Sequence, residues 1–427
     1  MPAAGHVDPG ESGSSIGGVR SRPALSAWRF VAVFGAVSLL ADFVYEGARS
    51  ITGPLLASLG ATGLLVGVVT GVGEAAALAL RLVSGPLADR SRRFWAWAIT
   101  GYALTLVTVP LLGVAAALWV ACTLVIAERV GKAVRSPAKD TLLSHAASVT
   151  GRGRGFAVHE ALDQVGAVIG PLTVAGVLAG TGNDYAPALG VLALPGAAAL
   201  ALLVWLRIRA PHPDSYEDPV ASTESTDSVV TQRFWALPPR FWLYCGFTAM
   251  TMSGFATFGL LSFHMVTHGL LSAAAVPVVY AAAMAADALA ALASGYSYDR
   301  FGGKSLAALP ILSSLVVLFA FSANTAMVVL GALVWGAAVG VPESPLRAVV
   351  ADLVAAPRRA SAYGVFAAGL GAASAAGGAL VGWLYEISPG AVVVVVVAIQ
   401  SVALVSMFTI GLPRGSGATA ESPFTPS

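Results

Sequence analysis

Residues 85–93 read GPLADRSRR, and residues 295–300 read GYSYDR. Both segments follow an apolar run, and they lie 210 residues apart. A second pair of landmarks, Ser136-Pro137 and Ser344-Pro345, is separated by 208 residues. Two pairs at nearly one offset indicate an internal repeat, so we expect two halves of similar architecture.

The composition is that of an integral membrane protein. Hydrophobic residues make up 57% of the 427 positions and charged residues 11%, whereas about a quarter of the residues of a soluble domain are charged. A helix needs about 20 apolar residues to cross the bilayer. We therefore predict an all-α membrane protein with twelve transmembrane helices in two six-helix, pseudo-symmetric bundles. The predicted spans are 28–58, 62–86, 93–113, 116–139, 154–180, 186–208, 238–267, 272–297, 304–322, 325–351, 359–385 and 389–412.

Arg and Lys lie on one side only of these spans, and the odd-numbered connections hold neither residue. Because cytoplasmic loops accumulate Lys and Arg, both termini are predicted to face the cytoplasm, in a multi-pass protein of the plasma or inner membrane. The even-numbered connections and the tails hold Arg20, Arg22, Arg29, Arg90, Arg92, Arg93, Arg152, Arg154, Arg207, Arg209, Arg233, Arg240, Arg300, Lys304, Arg358, Arg359 and Arg414.

The chain divides into five predicted parts. The segment between the sixth and seventh spans is rich in Ser, Thr, Asp and Glu, which is typical of a solvated linker. The first span carries charges and is closely followed by another, so it is predicted to be an uncleaved helix. The parts are a cytoplasmic N-terminal tail at 1–27, a six-helix bundle at 28–208, a cytoplasmic linker at 209–237, a second six-helix bundle at 238–412 and a cytoplasmic tail at 413–427.

Residues 85–93 resemble the loop signature of the major facilitator superfamily, and DRFGGK at 299–304 is similar to its second-half copy. The resemblance extends over about residues 28–412. It implies a transporter of two parallel six-helix repeats with the substrate site between them. In that superfamily the loop Asp and Arg lock the halves together on the cytoplasmic side. The resemblance thus predicts a cytoplasmic gate formed by Gly85, Asp89, Arg90, Arg93, Gly295, Asp299 and Arg300.

The first two spans carry buried charge. Asp42, Glu46 and Arg49 follow one another at i, i+4 and i+7, so they share a helical face. Charges at membrane depth normally face a cavity or a partner. Glu46 and Arg49 either belong to a site or neutralise each other, while Asp42 has no evident local partner. In the second span, Glu74 is a further proton-site candidate, and Gly67 and Gly71 are predicted to allow close helix packing.

The fourth span is the most highly charged. Glu128, Lys132, Arg135 and Lys139 form one stripe at i, i+4, i+7 and i+11, with Arg129 beside it. Such a stripe cannot face lipid, so it either lines a water-filled cavity or pairs with acidic groups of the first and fifth spans. This segment resembles a block shared by a group of little-characterised bacterial members of the superfamily. Its cations would suit an anionic or zwitterionic substrate.

The fifth span has two features. His159 and Asp163 share a face at i, i+4, with Glu160 beside them. Further along, GAVIGP at residues 166–171 resembles the antiporter motif of the superfamily's exporters through Gly166, Gly170 and Pro171. The alternative interpretation of this motif is a Pro-kinked packing helix.

The second half is poorer in charge. Its candidates are Asp287 and the pair Glu343 and Arg347, which lie at i, i+4 in the tenth span. His264 and His268 lie at the outer end of the seventh span and could titrate near neutral pH. We predict neither a metal site nor a cofactor from any of these residues.

These observations favour a secondary active transporter that moves a small solute by alternating access. No phosphate-binding loop of the form Gly-x-x-x-x-Gly-Lys-Ser/Thr occurs, so energy would come from an ion gradient or from the solute's own gradient. We predict proton-coupled efflux of a drug or metabolite by a monomer in the lipid bilayer, without enzymatic activity or a nucleic-acid partner. The alternatives are an uptake symporter for a sugar, organic acid or phosphate ester, and a lipid flippase or non-transporting sensor. The predicted proton carriers are Asp42, Glu46, Glu74, Glu160 and Asp163, and the predicted substrate-cavity residues are Arg49, Glu128, Arg129, Lys132, Arg135, His159, Glu343 and Arg347.

Overall fold

The computed structural model describes residues 25–216, 237–342, 345–355 and 358–410. Within these ranges the chain is α-helical and contains no β-strand, as the sequence predicts. The α-helices are α1 Ala27–Ser58, α2 Gly63–Ala79, α3 Arg81–Ser91, α4 Phe94–Gly113, α5 Leu118–Thr150, α6 Arg152–Gly180, α7 Tyr185–Gly190, α8 Ala193–Arg209, α9 Pro239–Ser253, α10 Phe258–Thr267, α11 Val276–Phe301, α12 Ala308–Ala320, α13 Thr325–Gly340, α14 Pro345–Leu353, α15 Arg359–Ile387 and α16 Pro389–Ile410.

Every predicted span corresponds to one helix or to two consecutive helices. The second span is α2 and α3, the sixth is α7 and α8, the seventh is α9 and α10, and the tenth is α13 and α14. The break in the seventh span follows Gly254, a residue that weakens a helix interior. At the other end of the chain, the hydroxyl of Ser26 caps α1 by accepting a bond from the amide of Arg29.

Hydropathy alone undercounts the membrane crossings. In the described part of the chain, nine stretches are long and apolar enough to span a bilayer, and Thr325–Gly340 is a shorter apolar helix. One of the nine, Val276–Ala320, contains 45 residues and reverses at Gly302, so it holds both α11 and α12. The stretch that is not counted is α5, because its interior is charged. Twelve passes result, which confirms the predicted fold class.

The helices α1–α8 (the first half) and α9–α16 (the second half) pack together at one end of the bundle. We call the end that carries residues 85–93 and 295–304 the motif side, and the opposite end the far side. On the far side α2 and α15 cross so closely that a Cβ at Gly67 would lie 2.3 Å from the carbonyl oxygen of Gly378. Gly71 meets the same glycine, so the predicted close packing at these positions is confirmed.

Polar contacts add to this far-side closure. The amide of Leu64 donates to Glu386 Oε1 at 3.1 Å, and the amide of Ala274 donates to Asn183 Oδ1 at 3.2 Å. Deeper in the bundle, the hydroxyls of Thr70 and Thr257 are 2.8 Å apart. Each of these bonds joins one half to the other.

The ring of Tyr385 completes the far side. It lies against Gly63, where a Cβ would come 2.5 Å from the ring. Its hydroxyl is 2.9 Å from His264 Nδ1 and 3.3 Å from His268 Nδ1. The two histidines of the seventh span therefore contact the closure between the halves.

The halves pack less closely on the motif side, where a Cβ at Gly364 of α15 would still lie 3.4 Å from Leu82 of α3. The large apolar core runs through both halves towards the far side, whereas a smaller core around Tyr244 and Phe366 belongs to the second half alone. A Cβ at Gly295 would meet nothing within 4 Å, and one at Gly85 would meet only Pro137 of its own half. The cleft between the halves thus opens at this end.

The predicted gate residues are apart in this conformation. Their charged members are exposed, and within the described ranges no ion pair joins them to another side chain. This arrangement matches the open motif side. These charged members are Asp89, Arg90, Arg93, Asp299 and Arg300.

Candidate functional site

A charged cavity of about 380 Å³ lies between the halves and extends towards the motif side. It is lined by α1, α2, α3, α5 and α6 of the first half and by α11 and α13 of the second. Twelve lining residues are ionisable, and all except one come from the first half. These twelve are Asp42, Glu46, Arg49, Glu74, Arg81, Lys132, Arg135, Lys139, Asp140, Glu160, Asp163 and Asp287.

The deep end of the cavity holds a chain of alternating charges. Glu74 Oε1 accepts a hydrogen bond from Arg49 Nη2 at 2.9 Å and lies 3.2 Å from Arg129 Nη1. Arg49 Nη1 also lies 3.7 Å from Glu46, and Arg129 Nε lies 3.4 Å from Glu128. One carboxylate thus bridges two guanidinium groups from different helices. This network combines the two interpretations of Glu46 and Arg49, because the two residues pair with each other within a larger site.

A second cluster lies nearer the motif side. Arg135 Nη2 is 3.5 Å from Asp42 Oδ1, and Lys139 Nζ is 3.8 Å from Asp163 Oδ2. Asp42 has its partner on another helix, because α5 brings Arg135 against it, and the charged stripe thus pairs with acidic groups of the first and fifth spans. His159 is buried beside this cluster, with Nε2 3.0 Å from Lys139 Nζ.

The same histidine confirms the predicted i, i+4 face. His159 Nε2 lies 3.6 Å from Asp163 Oδ2 and 3.3 Å from the hydroxyl of Ser38 on α1. Glu160 also lines the cavity, but it is exposed and accepts a long hydrogen bond, of 3.5 Å, from Gln164. The structure thus groups His159 with Asp163 and leaves Glu160 at the cavity mouth.

Lys132 differs from the other cations of α5. Its ammonium nitrogen lies 3.9 Å from the centroid of the Tyr45 ring, a cation–π contact. Within the described ranges no carboxylate lies within 4.0 Å of this nitrogen. The ring that holds Lys132 is fixed in turn, since the Tyr45 hydroxyl accepts a hydrogen bond from Arg129. Lys132 is therefore a positioned cation of the cavity wall, on which the carboxylates of Glu46 and Asp42 act only from beyond 4.0 Å.

The wall from the second half is mostly apolar. Met284 and Val339 line it, and Tyr280 donates a hydrogen bond to Glu46 across the cleft. Behind them, the Trp335 ring lies 5.8 Å from the Arg49 guanidinium carbon. A ligand here would contact charged groups on one side and apolar or aromatic groups on the other.

Sequence reasoning missed the aromatic members of this site, Tyr45, Tyr280 and Trp335. A signal was available for Tyr280, because Tyr280, Met284 and Asp287 follow one another at i, i+4 and i+7 and so share a face. Nothing comparable marks Trp335, whose indole donates to the carbonyl of Ala256 at 2.9 Å.

Other predicted site residues lie elsewhere. A Cβ at Gly166 would come 2.3 Å from the carbonyl oxygen of Leu39, and one at Gly170 would come 2.1 Å from that of Phe43. These glycines therefore pack α6 against α1, which supports the packing interpretation of the segment ending at Pro171. Glu343 lies outside the described residues, as does the side chain of Arg347.

Comparisons with known proteins agree with this architecture. A model of the Major Facilitator Superfamily matches residues 34–309 and 270–426. The uncharacterized protein Rv2265 of Mycobacterium tuberculosis is 79% identical over 395 residues, which cover 92% of this chain and 96% of that protein. Uncharacterized protein Mb2288 of Mycobacterium bovis matches to the same extent.

Solved structures show the same fold at low identity. The nucleoside transporter NupG, as its D323A mutant, matches with a TM-score of 0.74 at 15% identity, over 90% of this chain and all of that one. A bacterial homologue of the human lysosomal transporter Spinster, in an inward-facing and unoccupied conformation, matches with a TM-score of 0.66 at 13% identity, over 91% and 96% of the two chains. By its sequence and its fold, the chain belongs to the major facilitator superfamily.

Proposed function

We propose that the protein is a proton-coupled secondary transporter of a small anionic or zwitterionic solute. The observation that carries this proposal is Lys132, a half-buried cation in a cavity between two halves, with no carboxylate of the described residues within 4.0 Å of its nitrogen. A charge at membrane depth normally has a partner or serves a pathway. The acidic group of a solute would supply that partner.

Alternating access would move two units, residues 28–208 and 238–412, against each other. The far-side contacts between α2 and α15 and the open motif side support an inward-facing state, if the motif side is cytoplasmic. Opening the far side requires the separation of Glu46 from Tyr280, of Leu64 from Glu386 and of Thr70 from Thr257. The repeated loops at residues 85–93 and 295–300 would then meet as the cytoplasmic gate.

Glu74 is the proposed main proton carrier. It holds both Arg49 and Arg129, so its protonation would remove the negative charge that keeps the two guanidinium groups in place. Both cations could then turn towards an anionic solute. Asp42, which pairs with Arg135, is the proposed second carrier, and Asp163 can act in the same way through Lys139.

Export of a metabolite or drug is the proposed direction, and its support is the likeness of residues 166–171 to the antiporter motif. The close packing of α1 against α6 in that segment would keep the charged clusters of both helices together during exchange. We propose further that the monomer in the plasma membrane is the working unit.

Transport in liposomes that contain a pH-sensitive dye tests this function. We expect a carboxylate-bearing solute to move protons through the wild type, and we expect Glu74→Gln to abolish that movement. Lys132→Ala should raise the solute concentration for half-maximal flux about 10-fold or more, as expected for a lost hydrogen bond to a charged group. Asp214→Asn, a change at an exposed carboxylate on the motif side, is the matched control.

The outcomes separate the parts of the proposal. Proton movement that persists in Glu74→Gln would exclude Glu74 as the carrier. Solute flux without any proton movement would show that another ion gradient, or the solute's own gradient, drives transport. An unchanged half-maximal concentration in Lys132→Ala would show that the solute's acidic group binds elsewhere.

A further inference from the structure

A second cavity, of about 470 Å³, lies within the second half and outside the central cleft. Its walls come from α11, α12 and α13 and from the 3₁₀ turn Gly302–Ala307. Helix α13 packs along both α11 and α12, while α11 and α12 make few contacts with each other. A groove therefore remains between the two outer helices.

Helical periodicity places this groove on the flank opposite the central cavity. Gly340 of α13 packs on α11, where a Cβ would come 2.2 Å from the carbonyl oxygen of Asp287. Val339 lies on one side of that contact and faces the central cavity, whereas Ala337 and Val341 lie on the other side and line the groove. The groove thus opens towards the bilayer and not towards the transport pathway.

The groove is amphiphilic along its length. Ala290, Leu312 and Ala337 lie deeper in the membrane, and Ser297 and Lys304 lie at the motif-side end. The lining is thus apolar where lipid tails lie and polar where headgroups lie. A phospholipid has the same order of chemistry.

Lys304 supplies a positive charge at the mouth of the groove. It is exposed, and within the described ranges no carboxylate lies within 4.0 Å of its nitrogen. Arg300, the last residue but one of α11, lies over the ring of Phe301, which also lines the groove. A phosphate at this mouth would lie against Lys304, with Arg300 nearby. Both residues are on the side of the bundle where basic residues attract anionic headgroups.

We propose that this groove binds an anionic phospholipid, with an acyl chain along α11 and the phosphate at Lys304. Lys304 ends the second copy of the repeated loop, immediately after the reversal at Gly302. Bound lipid would therefore hold the α11–α12 turn, which carries half of the proposed cytoplasmic gate. The site regulates the transporter from the lipid side and does not require that the lipid be transported.

Lipid retention by the purified full-length protein tests this site. Nanodiscs of phosphatidylcholine with added phosphatidylglycerol are prepared, and the lipids that remain bound are counted by native mass spectrometry. We expect phosphatidylglycerol to be retained in preference to phosphatidylcholine. Lys304→Ala should weaken that retention about five-fold, the contribution of one basic side chain near an anionic surface, and Lys304→Arg should preserve it.

A variant that fills the groove tests the contribution of the acyl chain to binding separately from that of the charge. Ala337→Leu leaves Lys304 in place but should also reduce retention, because its side chain would occupy the groove. Arg207→Ala removes an exposed basic residue on the same side and should leave retention unchanged. Thermal unfolding without added lipid shows that each variant is folded.

Three results would overturn the proposal. The first is equal retention of the two lipids by the wild type. The second is normal retention by either Lys304→Ala or Ala337→Leu. The third is displacement of the lipid by inorganic phosphate alone, which would mean that the groove contributes nothing to binding.

Discussion

Lys132 and Arg135 lie three residues apart on α5, and both line the central cavity. Arg135 is paired with Asp42 and stacks at 4.4 Å over the ring of Tyr102. By comparison, the ammonium group of Lys132 lies against the ring of Tyr45 and forms no ion pair with the described residues. Two side chains of the same charge on one helix therefore differ in role: Arg135 holds α1 to α5, and Lys132 is the proposed contact for the solute.

Arg135→Ala should destabilise the protein by about 3 kcal/mol, the lower end of the range for a broken buried pair, because it leaves the half-buried carboxylate of Asp42 without its nearest cation. The double variant Asp42→Asn with Arg135→Ala should recover most of that loss, since the unpaired charge is gone. Thermal unfolding in detergent micelles measures both effects.

Lys132→Ala is the matched control for this prediction. It removes a cation from the same face of the same helix, but it leaves no carboxylate within 4.0 Å unpaired among the described residues. We expect a much smaller loss of stability from it. Equal losses in the Arg135→Ala and Lys132→Ala variants would contradict the structural distinction between the two cations.

The partners of these residues illustrate what the sequence could predict at this scale. Helical spacing indicates cavity-facing surfaces, and the central cavity is lined by Asp42, Glu74 and three members of the α5 stripe, Lys132, Arg135 and Lys139. Glu128, the first member of that stripe, does not line it. Helical spacing cannot tell that Asp42 meets Arg135, because the two residues lie on different helices and their distance depends on how α1 packs on α5. Pairing across helices depends on how the helices pack. The spacing of residues within one helix carries no information about that packing.

Among the elements, α2 and α15 form the narrowest interface between the halves. Gly378→Leu should force them apart, since even a Cβ there would lie 2.4 Å from the carbonyl oxygen of Gly67. Overpacking of this kind typically costs about 1–3 kcal/mol. We therefore expect the variant to disfavour far-side closure and to shift the protein towards a state open on the far side.

A cysteine in the cavity reports that shift. Met284→Cys, in a background that lacks Cys122 and Cys245, should react faster with a membrane-impermeant thiol reagent applied from the far side when Gly378→Leu is present. Gly369→Leu is the control on the same helix, because a Cβ at Gly369 would meet nothing within 4 Å. Equal reactivity in the two variants would exclude α2 and α15 as the closing pair.

Helix boundaries were predicted less well than helix number. The fourth span was expected to end at 139, yet α5 continues to Thr150. A helix can continue beyond the bilayer as a polar segment, and hydrophobicity does not detect such an extension. The break between α2 and α3 at Leu80 was not predicted either, because no Gly or Pro marks it.

For the molecule as a whole, the distribution of Arg and Lys predicts which side of the membrane each end of the bundle faces. Asp214→Cys, at an exposed position on the motif side, should be protected from a membrane-impermeant thiol reagent added to intact cells. Thr181→Cys, exposed on the far side, should react under the same conditions. The opposite pattern would invert the proposed orientation and, with it, the identification of the motif side as cytoplasmic.

The internal repeat predicts two similar halves, but it does not reveal how unequally they carry charge. All except one of the ionisable residues around the cavity come from the first half, where most are grouped in ion pairs. The repeat is a property of the backbone and of its loops. The side chains that face the cleft are free to differ.

The pairing of opposite charges in the central cavity has an electrical consequence. When either half tilts, most of these side chains cross the membrane field as neutral pairs, and a neutral pair does little work against a voltage that would otherwise contribute about 2.3 kcal/mol per charge per 100 mV. Over a complete cycle the protein returns to its starting state, so the net charge moved is that of the solute and of the proposed protons. The reversal potential of the solute-driven current at known solute and proton gradients would give the number of protons per solute.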